Sequence, residues 1–278
     1  METPNETDKP IPLSIVIRTF NSGGTLGAVL KRLDREAHDQ LVVVDSGSTD
    51  STLALAAQAG AEIVHLPAKE FTYGRSLNKG FEAARHEWVL VLSSHCIPMR
   101  GDMLGVYRRA LRRFPDTVAA AVGPVLWSEL DRKLARGITL YDDADLRYGF
   151  GFGAGNPNSL YRRDLWRRHS FDETLPAAED LEWYAWAVRN GLVVAAVHEA
   201  EVRYASRRSW RVLYRKGRLD HRICSRFLAV ERPSLGILVA HTAKLLLYGC
   251  MGRIDIGGLK GSFFHYLGAW VEAKKPRA

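Results

Sequence analysis

Residues 13–21 read LSIVIRTFN and residues 41–52 read LVVVDSGSTDST. In both, a short apolar run stops abruptly at a polar cluster, the pattern of a strand that ends in a turn. Two further runs, Glu62 to Leu66 and Trp88 to Leu92, have the same strand-like length. The runs at 41–44 and 88–92 are apolar at successive positions, which predicts parallel strands buried on both faces. Between the runs, Leu26, Val29, Leu30 and Leu33 fall at i, i+3, i+4 and i+7, and so do Leu77, Gly80, Phe81 and Ala84. That spacing puts one apolar stripe on each of two crossover helices. The alternation predicts an α/β fold: a Rossmann-type twisted parallel sheet, with right-handed crossovers and helices on both faces. Ligands on such a sheet bind beyond the carboxyl ends of the strands, where the polar clusters lie.

Working outward, residues 101–145 are more polar and carry one more apolar run, Val118 to Val122. The segment FGFGAGNPNSLYRRDLW, residues 150–166, is rich in glycine and asparagine and predicts a close backbone turn. A helix is expected from Glu179, because Leu181, Tyr184, Ala185 and Val188 share a face, and a strand from Leu192 to Val197 follows. No internal repeat is present.

The 278 residues suit one large domain or a core with an appended lobe, and 46% hydrophobic against 25% charged residues is too apolar for a disordered chain. Cys96, Cys224 and Cys250 are too few and too scattered for a disulfide framework or a zinc knuckle, so a reducing, cytoplasmic setting is expected. The opening METPNETDKPIP lacks the basic patch and apolar run of a secretory signal. From Arg203 onward there are sixteen basic and four acidic residues, so the last quarter carries +12 and the remainder −4. Along this extension Arg207, Arg208, Arg211, Arg215, Lys216, Arg218, Arg222 and Arg226 alternate with Trp210, Leu213, Tyr214 and Phe227, a helical pattern. The charge points to an anionic partner. Peripheral contact with the inner face of the cell membrane is one reading, with the apolar stretch Leu235 to Met251 lying in the interface. A solvated helix face is the other. Nucleic acid is not expected, since no binding module accompanies the charge.

Asp45, at the tip of the second strand, is an acid able to accept hydrogen bonds from a nucleobase or ribose, with Thr19 a small donor and acceptor nearby. Ser48, Thr49 and Asp50 also have the chemistry of a helix cap, and that alternative stays open here. Glu179-Asp180 opens a helix, where the macrodipole favours ionised carboxylates. An ionised carboxylate is what a general base needs, although acids in a first helical turn also serve stability alone.

IPLSIVIRTFN, VVVDSGSTDST, GRSLNKGFEAARHEWVLVLSSHCIP and AAEDLEWYAWAVRNG, in this order, resemble the family 2 glycosyltransferases of the GT-A fold, over about residues 11 to 205. The resemblance implies an inverting transfer from a nucleoside-diphosphate sugar to a hydroxyl of a saccharide or lipid-linked acceptor, with a divalent metal, manganese or magnesium. It implies a GT-A domain with a nucleotide-binding part (11–100) and an acceptor part (101–205), and composition sets apart a flexible N-terminus (1–10) and a basic helical C-terminal region (206–278). Thr19, Asn21, Asp45, Ser46, Arg75, Ser93 and Ser94 would line the nucleotide sugar. Gly155, Asn156 and Trp183 would face the acceptor. Asp180 would be the base, with Glu179 beside it.

The chain departs from the family where an acid-x-acid triplet usually holds the metal, since Ser93-Ser94-His95 stands there. Two substitutes are open: His95 as an imidazole ligand, or Arg75 and tail arginines neutralising the diphosphate without metal. Cys96-Ile97-Pro98 after this loop resembles rhamnosyltransferase-like members. A histidine common in relatives has Tyr204 in its place, and Arg207-Arg208-Ser209-Trp210 lacks the glutamine of the processive motif, so one sugar per encounter is expected. A catalytically silent nucleotide-sugar-binding protein is the alternative, and against a nucleotidyltransferase the chain lacks the glycine-rich triphosphate loop such enzymes commonly carry.

Overall fold

The computed structural model describes residues 10–126, 136–142, 156–205 and 209–227, together with 239, 243, 267 and 269–272. Expectations on Gly153, Ala154, Gly155, Arg207, Arg208, Cys250, the N-terminal nine residues and most of 235–251 lie outside the described residues.

Strands β1 (Leu13–Thr19), β2 (Gln40–Asp45), β3 (Glu62–His65) and β4 (Trp88–Ser93) alternate with helices α1 (Gly23–Lys31), α2 (Thr52–Gln58) and α3 (Tyr73–Ala83). They form a parallel block in the order β3-β2-β1-β4. Side chains alternate between two cores, as the pleat requires. Leu13, Ile15, Ile17, Leu41, Val43, Leu90 and Leu92 pack on one face with Leu26 and Val29 of α1. Val16, Val42, Val44, Val89 and Val91 pack on the other with Leu77 and Phe81 of α3. Helix α3 begins at Thr72, whose Oγ1 accepts a hydrogen bond from the Arg75 backbone N–H at 3.0 Å, and it lies close on the sheet at Gly80.

The chain continues through β5 (Cys96–Pro98), α4 (Met103–Leu111), β6 (Val118–Val122), β7 (Val125–Leu126), β8 (Ile138–Tyr141), β9 (Asn158–Arg162), α5 (Arg163–Arg168), α6 (Glu179–Arg189), β10 (Val193–Val197), β11 (Val202–Tyr204) and α7 (Trp210–Phe227). The main sheet has eight strands, ordered β3-β2-β1-β4-β9-β6-β10-β8. The whole sheet is mixed: the parallel block expected from residues 13–92 forms one half, while β9 runs antiparallel to both β4 and β6, and β8 antiparallel to β10. The cause is local. Residues 158–162 read NSLYR, with two polar residues where a buried strand would show apolar ones. Those two are satisfied at long range: Asn158 accepts from the Tyr107 hydroxyl at 2.9 Å and donates to the Ala200 carbonyl at 2.6 Å. Ser159 Oγ lies 3.0 Å from the Tyr184 hydroxyl.

Because β4 pairs directly with β9, the segments expected to bind nucleotide and acceptor share one sheet. A small sheet, β5-β11-β7, pins the loop after β4, and the Ala205 N–H donates to the His95 carbonyl at 2.7 Å. Helix α7 bears out the helical reading of the start of the C-terminal region, with Ile223 packing against Leu175 and Ala177 beside α6.

A Cβ built on Gly80 would sit 2.3 Å from Cγ1 of the fully buried Val16 on β1. Although alanine is favoured over glycine in a helix interior by roughly 1 kcal/mol, Gly80→Ala is expected to destabilise the fold by about 1–3 kcal/mol through overpacking. Urea unfolding checks this, and an unchanged or raised midpoint would contradict the close helix–sheet contact.

Candidate active site

The carboxyl ends of β1, β2 and β4 and the start of β9 meet at one sheet edge. Thr19 stands in register with Asp45, Arg18 with Ser93, and Leu92 with Asn158. The polar clusters that end these strands are therefore neighbours in space.

Asp45 is 1% exposed. Its Oδ1 accepts from Thr19 Oγ1 at 3.0 Å and from Ser48 Oγ, and its Oδ2 from the backbone N–H groups of Gly47 and Ser48 at 3.0 and 2.9 Å. Burial pushes the carboxyl up, but the bonds from Ser48, Thr19 and Gly47 outweigh it, so the pKa lies below the ordinary carboxylate value. Here the carboxylate anchors its own loop, which departs from the expectation of an acid open to a nucleoside. Asp50 is a brace of the same kind: it accepts from the N–H groups of Thr52 and Gly23, tying the starts of α2 and α1 together. For Asp50 the capping alternative is the one the fold adopts.

Asn21 sits in the left-handed region at φ 47°, which asparagine tolerates better than most residues. Its Oδ1 accepts from the Thr49 N–H at 2.9 Å, and its own N–H donates to Ser48 Oγ at 2.9 Å. Ser46 is buried, and its N–H donates to the Thr19 carbonyl at 3.0 Å. Ser94 is buried with its Oγ 2.9 Å from Ser22 Oγ. Three loops from three strands are thus laced into one surface. Arg75, at the start of α3, pairs with Glu70 at 3.1 Å, both being more than a third exposed.

The donor set at the end of β4 contains no carboxylate. Ser93 Oγ accepts the His95 N–H at 3.3 Å, and the His95 ring places Nδ1 3.1 Å from Thr25 Oγ1. Among the described residues no group of three or more histidine, cysteine, aspartate or glutamate side chains gathers to hold a metal ion. Among the described residues the loop at 93–95 thus offers one imidazole beside hydroxyls, a sparse set for a divalent ion.

On the acceptor side, Glu179 and Asp180 open α6. The preceding Ala178 adopts φ 64°, a strained conformation for a residue with a Cβ, and sets the direction in which the helix starts. Asn156, 2% exposed, holds both acids: its N–H donates to Asp180 Oδ2 at 2.7 Å and its Nδ2 to Glu179 Oε1 at 2.8 Å. Its Oδ1 accepts from the Tyr161 hydroxyl at 2.7 Å, and that hydroxyl lies 2.7 Å from the Tyr184 hydroxyl. Burial raises both phenol pKa values, so both stay protonated donors. Asn156 was expected to face the acceptor, but its amide is spent on the acids and on Tyr161. Trp183 also departs from its expected acceptor contact, being fully buried with its indole N–H on the His169 carbonyl at 2.7 Å. Residue 183 falls on the core face of α6, four residues on from the buried Glu179.

Asp180 retains part of its surface but lies deep among protein atoms. Burial and the neighbouring Glu179 charge raise its pKa to about 6, against bonds from Asn156 and Leu181 and the more distant Lys216 of α7, which lower it. The helix terminus alone predicts the opposite direction; desolvation wins. Arg18 was not singled out in the sequence, yet its Nη1 lies 3.5 Å from Glu179 Oε1. Since Arg18 and Thr19 are consecutive, the end of β1 touches Glu179 with one residue and Asp45 with the next.

The family described as Glycosyl transferase family 2 matches residues 14–169, more than half of the chain. The O-antigen chain rhamnosyltransferase RfbN of Salmonella typhimurium is 26% identical over 214 residues, covering 69% of this chain and 66% of that protein. A TPR repeat-containing protein of Synechococcus elongatus is 42% identical over 57 residues, 20% of this chain and 14% of that one. The chain therefore spans less than two thirds of either curated relative. Among solved structures, the mannosyltransferase PcManGT of Pyrobaculum calidifontis, in complex with GDP-Man and Mn2+, is similar with a TM-score of 0.64 at 16% identity, over 95% of this chain and 87% of that one. Glucosyl-3-phosphoglycerate synthase of Mycobacterium tuberculosis, in complex with Mg2+ and UDP, gives 0.60 at 18% identity over 78% and 79%. At these identities the likeness shows a shared GT-A fold.

The raised pKa of Asp180 has a stability consequence of definite sign. The folded state holds this proton more tightly than the unfolded chain, whose carboxyl titrates near 3.8, so the contribution is present in acid and is lost as pH rises through about 6. The melting temperature of the unsubstituted protein, relative to Asp180→Asn, is expected to fall between about pH 4 and pH 7. A constant difference would mean that Asp180 titrates as an ordinary carboxyl.

Proposed function

This chain belongs to glycosyl transferase family 2, and we propose that it transfers a sugar from a nucleoside diphosphate to a hydroxyl of a saccharide or lipid-linked glycan, with inversion and one sugar per encounter. Asp180 is the general base of this reading. The supporting observation is the Glu179-Asp180 pair, held by Asn156 at the sheet edge where Thr19 and Asp45 end their strands. A base works best when its pKa lies near the working pH, and a value of about 6 leaves Asp180 mostly ionised at neutrality while making it more basic than an ordinary carboxylate. It takes the acceptor proton as oxygen attacks the anomeric carbon. Glu179 orients the pair.

In the same proposal the loops carrying Thr19, Asn21, Asp45, Ser46, Ser93 and Ser94 form the nucleotide-sugar surface, with Arg75 at its rim and residues 101–205 supplying the acceptor side. Gly155, next to Asn156, belongs there too. The relation to an O-antigen rhamnosyltransferase makes a cell-envelope glycan the first acceptor to try. A cytoplasmic setting at the inner face of the membrane suits a lipid-linked acceptor. The exposed Arg211, Arg215, Arg222 and Arg226 of α7 support such contact, and no described helix is long and apolar enough to cross a membrane. One observation favours a second reading, a silent nucleotide-sugar binder: the carboxylate-free loop at 93–95. Heat on titrating nucleoside diphosphates, with no hydrolysis or transfer of any donor, would select it.

Asp180→Asn is expected to lower kcat by about two to four orders of magnitude. In the unsubstituted enzyme kcat/KM should rise with pH along an acid limb centred near 6. Near-normal transfer by the variant, or a flat profile between pH 5 and 8, would remove Asp180 from the role of base. Chelation is expected to leave most of the activity; loss reversed by magnesium alone would show a metal acting despite Ser93-Ser94-His95.

A further inference from the structure

Arg18 is the next-to-last residue of β1, in register with Ser93 on one side and Val44 on the other. In-register residues of neighbouring strands point to the same face. Val44 belongs to the core face covered by α3 and α6, so Arg18 and Ser93 look toward the acid pair. The Arg18 side chain keeps 18% of its surface. Its Nη1 donates to the Tyr73 carbonyl at 3.3 Å and to Glu179 Oε1 at 3.5 Å, and its guanidinium lies 5.2 Å from the centre of the Tyr73 ring. Both bonds are long, and both use a single nitrogen. A guanidinium carries five N–H donors in a planar fork, and Nε and Nη2 have no partner among the described residues. A permanent cation is therefore held through long contacts, its Nε and Nη2 without a partner among the described residues, beside the carboxylate-free loop at 93–95.

We propose that Arg18 receives the diphosphate of the bound nucleotide, exchanging its long contact with Glu179 for phosphate oxygens and supplying positive charge beside Ser93-Ser94-His95, a loop with no carboxylate to hold a metal. This rests on the glycosyltransferase reading and deepens it. Arginine suits the task because its fork engages phosphate through two parallel hydrogen bonds, stronger than the single 3.5 Å contact it gives up. When the bond from the anomeric carbon to the β-phosphate oxygen breaks, the electron pair stays with the nucleoside diphosphate. A fixed cation there stabilises the developing charge. Glu179 and the diphosphate then compete for one guanidinium, so each weakens the hold of the other.

Calorimetry in the presence of chelator tests this, titrating UDP, dTDP, GDP, CDP and ADP and, for the best of them, its parent nucleoside. For that diphosphate, Arg18→Gln is expected to weaken binding roughly ten- to a hundredfold, Arg18→Lys to weaken it less, and Glu179→Gln to tighten it severalfold. The nucleoside should bind all four proteins alike. Equal diphosphate affinity in the unsubstituted protein and Arg18→Gln overturns the inference and leaves the transferase reading standing. Equal loss of nucleoside and diphosphate overturns it too, since that marks damage to the fold. Should Arg18→Gln not fold, the other two variants decide, and no change in either is a negative result. If the unsubstituted protein binds none of the five diphosphates, the inference falls together with the reading beneath it.

Discussion

Two adjacent carboxylates, Glu179 and Asp180, are drawn largely out of water at the head of α6, and most of the surrounding architecture answers the cost of that desolvation. Burying an ion costs several kcal/mol unless partners replace its hydration. The partners here are a side-chain amide and a backbone N–H from Asn156, the backbone of Leu181, and the guanidinium of Arg18. Hydrogen bonds to charged groups contribute about 1.5–3 kcal/mol each, and a helix N-terminus adds about 0.3–1 kcal/mol. The compensation is incomplete at Asp180, whose pKa stays raised. That residual imbalance leaves Asp180 more basic than an ordinary carboxylate.

Asn156 can do this because it precedes β9, a strand locked on both sides in the main sheet. Tyr161 reaches back from that strand to the Asn156 amide, and Tyr184 from α6 closes the network on Ser159. Buried polar networks stay ordered when every member is satisfied, so strand, helix and acids act as one rigid unit. Across the edge, Asp45 does for the β2 loop what Asn156 does for the acids. It spends its hydrogen-bonding capacity on Thr19, Gly47 and Ser48 and presents a preformed loop. The helical extension joins the same edge, with Cys224 in the core around α6 and Lys216 close enough to pull the Asp180 pKa down. The basic region thus bears on the electrostatics of the acid pair.

The legible parts of the fold were those carried by local pattern. Strands β1 to β4, α3, β6, α6 and β10 follow from apolar runs and helical spacing, with boundaries moved by a few residues. Strand β9 was not legible, because Asn158 and Ser159 look like turn residues until Tyr107, Ala200 and Tyr184 arrive to satisfy them. Trp183 was placed at the acceptor by the family resemblance, whereas the phase of α6 turns it into the core. Arg18 escaped notice because an arginine at the end of a buried strand usually means only that the strand has reached water.

From the sequence alone follow the class of fold, the sheet edge at which polar loops collect, the acid pair at a helix start and the missing carboxylates at 93–95. The first three depend on residues near one another in the chain, where periodicity and turn chemistry suffice, and the last on the family resemblance. Which oxygen each donor meets depends on contacts such as Arg18 with Glu179, 161 residues apart, or Asn156 with Glu179 across a strand and a helix. Desolvation is likewise a property of the whole packed neighbourhood. For that reason the direction of the Asp180 pKa and the engagement of Asp45, Asn156 and Trp183 were decided only when the layers came together.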